Sequence, residues 1–274
     1  MFSRAELAVG LACGLYAALA AVWILWPGPR AAAAPSMKPP EWEAQPDHLN
    51  IAGSGSNIEI TRAIARAFER HNPGAVVHVH ASIGSGGGVL AVADGAVDLG
   101  MISRALGRSE GDGLVVTPLA RVPVCLVTHE RAARRTLTRE ALGPRVRDAA
   151  STAFLVREPG DSGERALEQA YPGLSDALAY ARTHGARVLR TDLEMRDALL
   201  STADSMGVFD LGTIKLLDLP LTPVAVDGET CPAAKPLSFV SRGVTTELVS
   251  RFLEFSTSDA VRGLLQSARY EPAP

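Results

Sequence analysis

Apolar positions along this chain follow two different periods. Over residues 48–52, and again in Val76-Val77-His78-Val79-His80, the runs are short, β-branched and alternating, which predicts strands. Between them Ile60, Ile64 and Ala67-Phe68 recur at helical spacing until Asn72-Pro73-Gly74 stops the helix. A short helix over 89–94 leads to a strand over 98–103 with a polar tip, and further strands are expected at 122–127 and 154–157. Residues 164–170 and 192–205 read as helices, the second capped by Thr191 or Asp192. Residues 207–211, 221–226 and 236–240 read as strands, and 245–266 as a closing amphipathic segment carrying Leu248, Phe252, Phe255 and Leu264-Leu265. Strands alternating with helices throughout argue an α/β fold with mainly parallel strands.

Three of the predicted strands run into a Gly/Ser turn that opens a helix: Gly53-Ser54-Gly55-Ser56-Asn57, Gly84-Ser85-Gly86-Gly87-Gly88 and Gly160-Asp161-Ser162-Gly163. A glycine turn lets backbone N–H groups approach a ligand closely, and the helix behind it adds orphan donors and the positive end of its dipole. Serine hydroxyls add donors without net charge. The pattern is that of an anion cradle; the plainer reading is a set of tight α/β connections.

Composition sets limits on this reading. With 274 residues, 47% of them hydrophobic and 21% charged, the chain can build one large domain or two small lobes. A formal net charge of −3 gives no basic field for nucleic acid, so a bound anion must be held by fixed local dipoles. Residues 7–26 are apolar without interruption, about the 20 residues that span a bilayer, and Trp23 and Trp26 sit at the outer end. The expectation is an uncleaved anchor within 1–27, with a cleaved signal segment ending near Ala31-Ala32-Ala33-Ala34 as the alternative. Residues 28–47 read as a Pro/Ala-rich spacer. Cys125 lies in an apolar run and reads as a buried thiol; a bond to Cys231 is the alternative.

Beyond Asn50 the chain resembles the periplasmic phosphate-binding protein of bacterial ABC phosphate importers. The resemblance is carried by Ile51-Ala52-Gly53-Ser54-Gly55-Ser56, then Ser82-Ile83-Gly84-Ser85-Gly86-Gly87-Gly88, then Asp98-Leu99-Gly100-Met101-Ile102-Ser103-Arg104. Arg157 with Ser162-Gly163, Val226-Asp227-Gly228 and Pro236-Leu237-Ser238-Phe239-Val240 follow in the family's order. It implies a two-lobe, type II periplasmic-binding-protein fold, each lobe a mainly parallel sheet flanked by helices, with the ligand in the cleft between them. Lobe one would be 48–124 and 236–274, and lobe two 125–235. As ligand-binding residues it implies Ser54, Ser56 and Asn57 of the first turn, Ser85 and Gly86 of the second, Ser103, and Arg157, Ser162 and Gly163 of the second lobe. One guanidinium would supply charge-assisted bonds, and serines and N–H groups would fill the remaining oxygens.

Three positions depart from the family pattern. Ser103 stands where the family has an aspartate, one residue more separates Arg157 from Ser162, and Glu164 replaces a threonine. Asp161 is either a ligand-selecting carboxylate or, with Glu164, a helix capping box.

Other classes fit less well. Gly160-Asp161-Ser162-Gly163 is similar to the nucleophile turn of chymotrypsin-like proteases, but no histidine has the matching context. For a nucleotide, Gly53-x-Gly55 lacks the third glycine at Ile58, Gly84-x-Gly86 lacks it at Val89, and no Gly-Lys-Ser/Thr follows either turn. His78 and His80 share a strand face that reads as solvated; no third ligand makes it a metal site. The expectation is therefore an exported, non-catalytic, monomeric binding protein for phosphate or a related tetrahedral oxyanion, with no cofactor. Its expected partners are an ABC permease and, through the anchor, the inner membrane. A sensor or interaction protein on the same fold is the alternative.

Overall fold

The computed structural model describes residues 47–274; the expected anchor and spacer lie outside the described residues. In chain order, β1 (His48–Gly53) runs into α1 (Gly55–His71), β2 (Val76–Ser82) into α2 (Gly84–Ala93), and β3 (Leu99–Ile102) follows. The chain continues through β4 (Leu114–His129), β5 (Thr136–Leu137), α3 (Arg139–Arg147), α4 (Ala149–Thr152) and β6 (Leu155–Arg157). Next come α5 (Ser162–Ala170), α6 (Leu174–Thr183), β7 (Arg187–Leu189), α7 (Asp192–Ser201), β8 (Met206–Asp210) and α8 (Leu211–Leu216). β9 (Leu221–Pro223), β10 (Ala225–Val226) and β11 (Ala233–Arg242) precede α9 (Glu247–Ser256), α10 (Asp259–Ser267) and β12 (Glu271–Pro272). Among the described residues no helix is long and apolar enough to cross a membrane.

Helical crossovers make β1 parallel to both β2 and β3, with Ile51 beside Val79 and Leu99. The rest of the main sheet, ordered β12-β4-β11-β3-β1-β2, is antiparallel, so the sheet is mixed where the alternating pattern suggested mainly parallel pairing. The 16-residue β4 explains this. It lies along β11 from Leu114 to Val124, then pairs with β8 over Val124–Thr128. Two long strands thus run from one packed region to the next.

Three cores result. One sets α1, α9 and α10 against the sheet around Ile51, Ile64, Phe68, Met101, Phe239, Phe252 and Leu265. The others lie on opposite faces of β4: Val124 and Leu126 pack with Phe154, Val156, Leu167 and Val208, while Cys125 and Val127 pack with Met195, Leu199, Phe209 and Ile214. The period-2 alternation of a strand is what divides these neighbours between two cores.

Cys125 is fully buried but is not a free thiol: it is bonded to Cys231. The register that sets Ala233 opposite Val124 brings Cys231 to the end of that pairing, a proximity across 106 residues that spacing alone does not reveal. The helix expected over 192–205 stops at Ser201, because Thr202 adopts an extended backbone and Thr128 Oγ1 pins the Ser205 carbonyl at 2.7 Å. The closing segment is two helices, since Ser258 is extended at the break. That bend lets Phe252 and Leu265 reach the same core. The hydrophobic pattern does not distinguish α3, α4, α6 or α8.

Candidate functional site

Close backbone packing assembles the site. Gly53 has φ +146°, and a Cβ there would collide with the backbone of Met101, so β1 meets the end of β3 with no room for a side chain. A Cβ on Gly88 would lie 2.8 Å from the Gly53 Cα, so α2 rests directly on the same turn. The glycines that suggested an anion cradle therefore also let three segments converge.

What converges is hydroxyl chemistry. Ser54 Oγ donates to Ser103 Oγ at 2.8 Å, and Ser103 Oγ lies 2.8 Å from Ser162 Oγ and 3.4 Å from Ser85 Oγ. The Ser103 backbone N–H donates to Ser85 Oγ at 3.1 Å. These four serines come from the ends of β1 and β3 and the starts of α2 and α5, elements far apart in sequence. With Gly86, Arg157 and Asp161 they line a cavity of about 180 Å³, several times the ≈ 30 Å³ share of one water. A second cavity of about 250 Å³, lined by Ile58, Leu193 and Phe209, shares Gly55, Ser82 and Asp192 with it.

Arg157 is 5% exposed, and its guanidinium is faced by three carboxylates and a backbone carbonyl. Nε and Nη2 donate to Glu158 at 3.0 and 3.2 Å, and Nη2 also to the Arg190 carbonyl at 3.2 Å. Nη1 faces Asp161 Oδ2 at 3.3 Å and Asp192 Oδ2 at 3.4 Å. Burial alone would lower the Arg157 pKa, but Asp192, Asp161 and Glu158 outweigh it and hold the charge firmly. Arg104, on the same cavity, is bound bidentately by Glu110 at 2.7 Å, which holds that carboxylate at about 2. Arg190 is the exposed cation of the lining.

Other residues expected at the site sit just behind it. Asn57 is fully buried, and its Nδ2 reaches the Ile102 and Ser238 carbonyls at 3.4 Å; it ties β3 to β11 and does not line the cavity. Ser56 is also off the cavity, accepting from Lys235 Nζ at 2.6 Å and donating to Asp192 Oδ1 at 3.0 Å. The Gly163 N–H is committed to Asp161, whose Oδ1 accepts it and the Glu164 N–H, both at 2.9 Å. Asp161 thus caps α5 and faces Arg157 at once. Glu164 does not complete a capping box: it is fully buried, accepts the Arg157 backbone N–H at 2.7 Å and pairs with Arg182. Burial raises its pKa to about 8 against those contacts. On β1 and β2, His48 Nδ1 lies 3.0 Å from His78 Nε2, and His80 Nε2 lies 3.1 Å from Asn50 Oδ1. Among the described residues no group of three or more acidic, histidine or cysteine side chains could hold a metal.

Sequence reasoning missed Lys235 and Asp192. Lys235 is 5% exposed; its one signal was that it is the lone charge in an apolar run from Ala233 to Val240. Asp192 looked like any acid at a helix start. Burial opposes its charge, but Arg157, Lys235 and the Ser56 hydroxyl together hold its pKa below the usual range.

Comparison with known proteins places this arrangement. None of the curated proteins matches the chain in sequence. Among solved structures it is similar to a phosphate ABC transporter substrate-binding protein from Clostridium perfringens with bound phosphate, at TM-score 0.69 and 18% identity, over 83% of this chain and 100% of that one. It is similar to an ABC-type phosphate transport receptor from Vibrio cholerae at TM-score 0.57 and 18% identity, over 82% of this chain and 100% of that one. The regulatory domain of Synechocystis CcmR, solved with 2-PG, shares the fold at TM-score 0.53 and 17% identity, over 76% of this chain and 95% of that one. At these identities the likeness is one of fold. The PBP superfamily domain matches residues 38–260, most of the chain and all the residues that build the serine and arginine cavity; the chain belongs to the PBP superfamily.

Proposed function

We propose that this chain is an extracytoplasmic substrate-binding protein that holds a tetrahedral oxyanion, phosphate first, for an ABC importer. One observation carries the reading: four serine hydroxyls from four separate elements meet within bonding distance beside a buried arginine, in a cavity of oxyanion size. Hydroxyls that now bond one another can each turn to donate to a ligand oxygen, and the N-terminus of α2 adds its dipole. Ser54, Ser85, Gly86, Ser103, Arg157, Asp161 and Ser162 are the proposed contacts. Ser56, Asn57 and Gly163 support them from behind. The apolar segment at 7–26 and the Cys125–Cys231 bond favour an oxidising compartment outside the cytoplasm.

The role is binding without catalysis. Its support is that the four cavity hydroxyls bond one another, while Ser56, the serine that meets Lys235, is buried off the cavity. Titration calorimetry with phosphate, sulfate and molybdate tests the proposal. Phosphate should bind, and Ser103→Ala and Ser162→Ala should each weaken it by about five- to tenfold, one hydrogen bond's worth. Absence of heat with all three anions would refute it.

A further inference from the structure

An oxyanion entering the cavity meets a guanidinium already faced by three carboxylates, Glu158, Asp161 and Asp192, and must compete with them for its charge. Glu158 is the next residue in the chain and grips Arg157 as a fork through Nε and Nη2. Asp161 is fixed by two backbone N–H groups, and moving it would uncap α5. Asp192 is held differently. Its carboxylate accepts from the Ser56 hydroxyl and from its own backbone N–H, and the N-cap of α7 is made by Thr191, whose Oγ1 accepts the Glu194 N–H at 3.1 Å. Turning the Asp192 carboxylate away therefore costs that helix no cap. It also has somewhere to go, because Asp192 lines the second cavity as well.

Its present position is that of a bound anion. The carboxylate rests against the first turn of α1 in room that exists because residue 55 is glycine; a Cβ there would collide with Asp192 Oδ2. Arg157 faces it at 3.4 Å, and Ser56, itself bonded to Lys235, donates to it.

We propose that Asp192 is the resident anion of the cleft, an internal competitor that an incoming oxyanion displaces from Arg157, and that it thereby sets the affinity of the site. This rests on the oxyanion-binding reading. Binding is then an exchange of one carboxylate for one ligand, and the native affinity is lower than the same cradle would show without it.

The test compares the full native chain with Asp192→Asn, using phosphate in calorimetry and thermal unfolding without ligand. The variant should bind phosphate about tenfold tighter or more, while its unliganded melting temperature falls because Arg157 and Lys235 lose a counter-ion. A merely structural aspartate would lower both. In Asp192→Ala, acetate should refill the vacated place, raising the melting temperature and weakening phosphate binding, with neither effect on the native chain. Asp192→Ser serves the same affinity comparison where the asparagine variant does not fold. If the native chain binds phosphate and the folded variants bind it equally or more weakly, the competitor role is overturned while the oxyanion reading stands. If neither binds phosphate, both fall.

Discussion

Replacing Arg157 by methionine gives the sharpest measure of how this site is held together. The side chain is 6% exposed and faces two carboxylates whose own exposure is only 9% and 18%, at 3.3 and 3.4 Å. At an effective dielectric near 20, each contact is about 5 kcal/mol of gross attraction, most of which offsets desolvation of the ions. Glu158 is 39% exposed and is left out of the sum. Removing the arginine leaves Asp161 and Asp192 without their shared cation, and the expected net loss is about 3–5 kcal/mol, the usual result of breaking one side of a buried pair. The pH dependence supplies the control. A carboxylate whose folded pKa is depressed, as for Asp192, contributes stability that is present above its unfolded pKa of about 3.9 and is lost as pH falls through the folded value. The variant lacks that contribution, so the gap between native and variant stability should narrow as pH drops below about 4. Urea unfolding followed by circular dichroism at pH 7 and at pH 3.5 reads both values. A loss under about 1 kcal/mol at pH 7, or a gap that does not shrink on acidification, would show that Arg157 does not hold these carboxylates.

Two further outcomes are expected. Reducing Cys125–Cys231 frees a loop closed across 106 residues, and chain entropy puts the cost at about 4.8 kcal/mol. Urea unfolding with and without reductant should show most of that loss; an unchanged midpoint would contradict it. Glu164 has a folded pKa of about 8, so its contribution to stability is fully present below about 4.5 and is lost as pH rises toward 8. Stability should decline across that window, and Glu164→Gln should flatten the decline; an identical pH profile in the variant would refute the role of this carboxylate.

Local chemistry determined a good deal from sequence alone. The period-2 and period-3.6 patterns located β1, α1, β2, β3 and α5 closely, helped by the glycine that closes β1 and the prolines just past α1 and α5, which stop the element locally. The Gly/Ser turns and Arg157 pointed to an oxyanion cradle, since donors without a base suggest binding more than reaction. Asp161 was legible as a cap because capping is settled within four residues.

Only the tertiary structure decided how those pieces meet. Whether a turn residue faces the cavity depends on the angle at which its helix leaves the sheet, which is why Ser54 lines it while Ser56 and Asn57, one turn along the same segment, face Lys235 and the backbone of β3 and β11. The Cys125–Cys231 bond and the arrival of Lys235 both follow from the register of β4 against β11, set by two cores that gather residues from distant parts of the chain. The occupancy of Arg157 is likewise a tertiary fact. Its charge is evident in the sequence, but one of the carboxylates that face it comes from α7, and no local pattern marks Asp192 as more than the first acid of a helix, because side-chain electrostatics depend on distance in space.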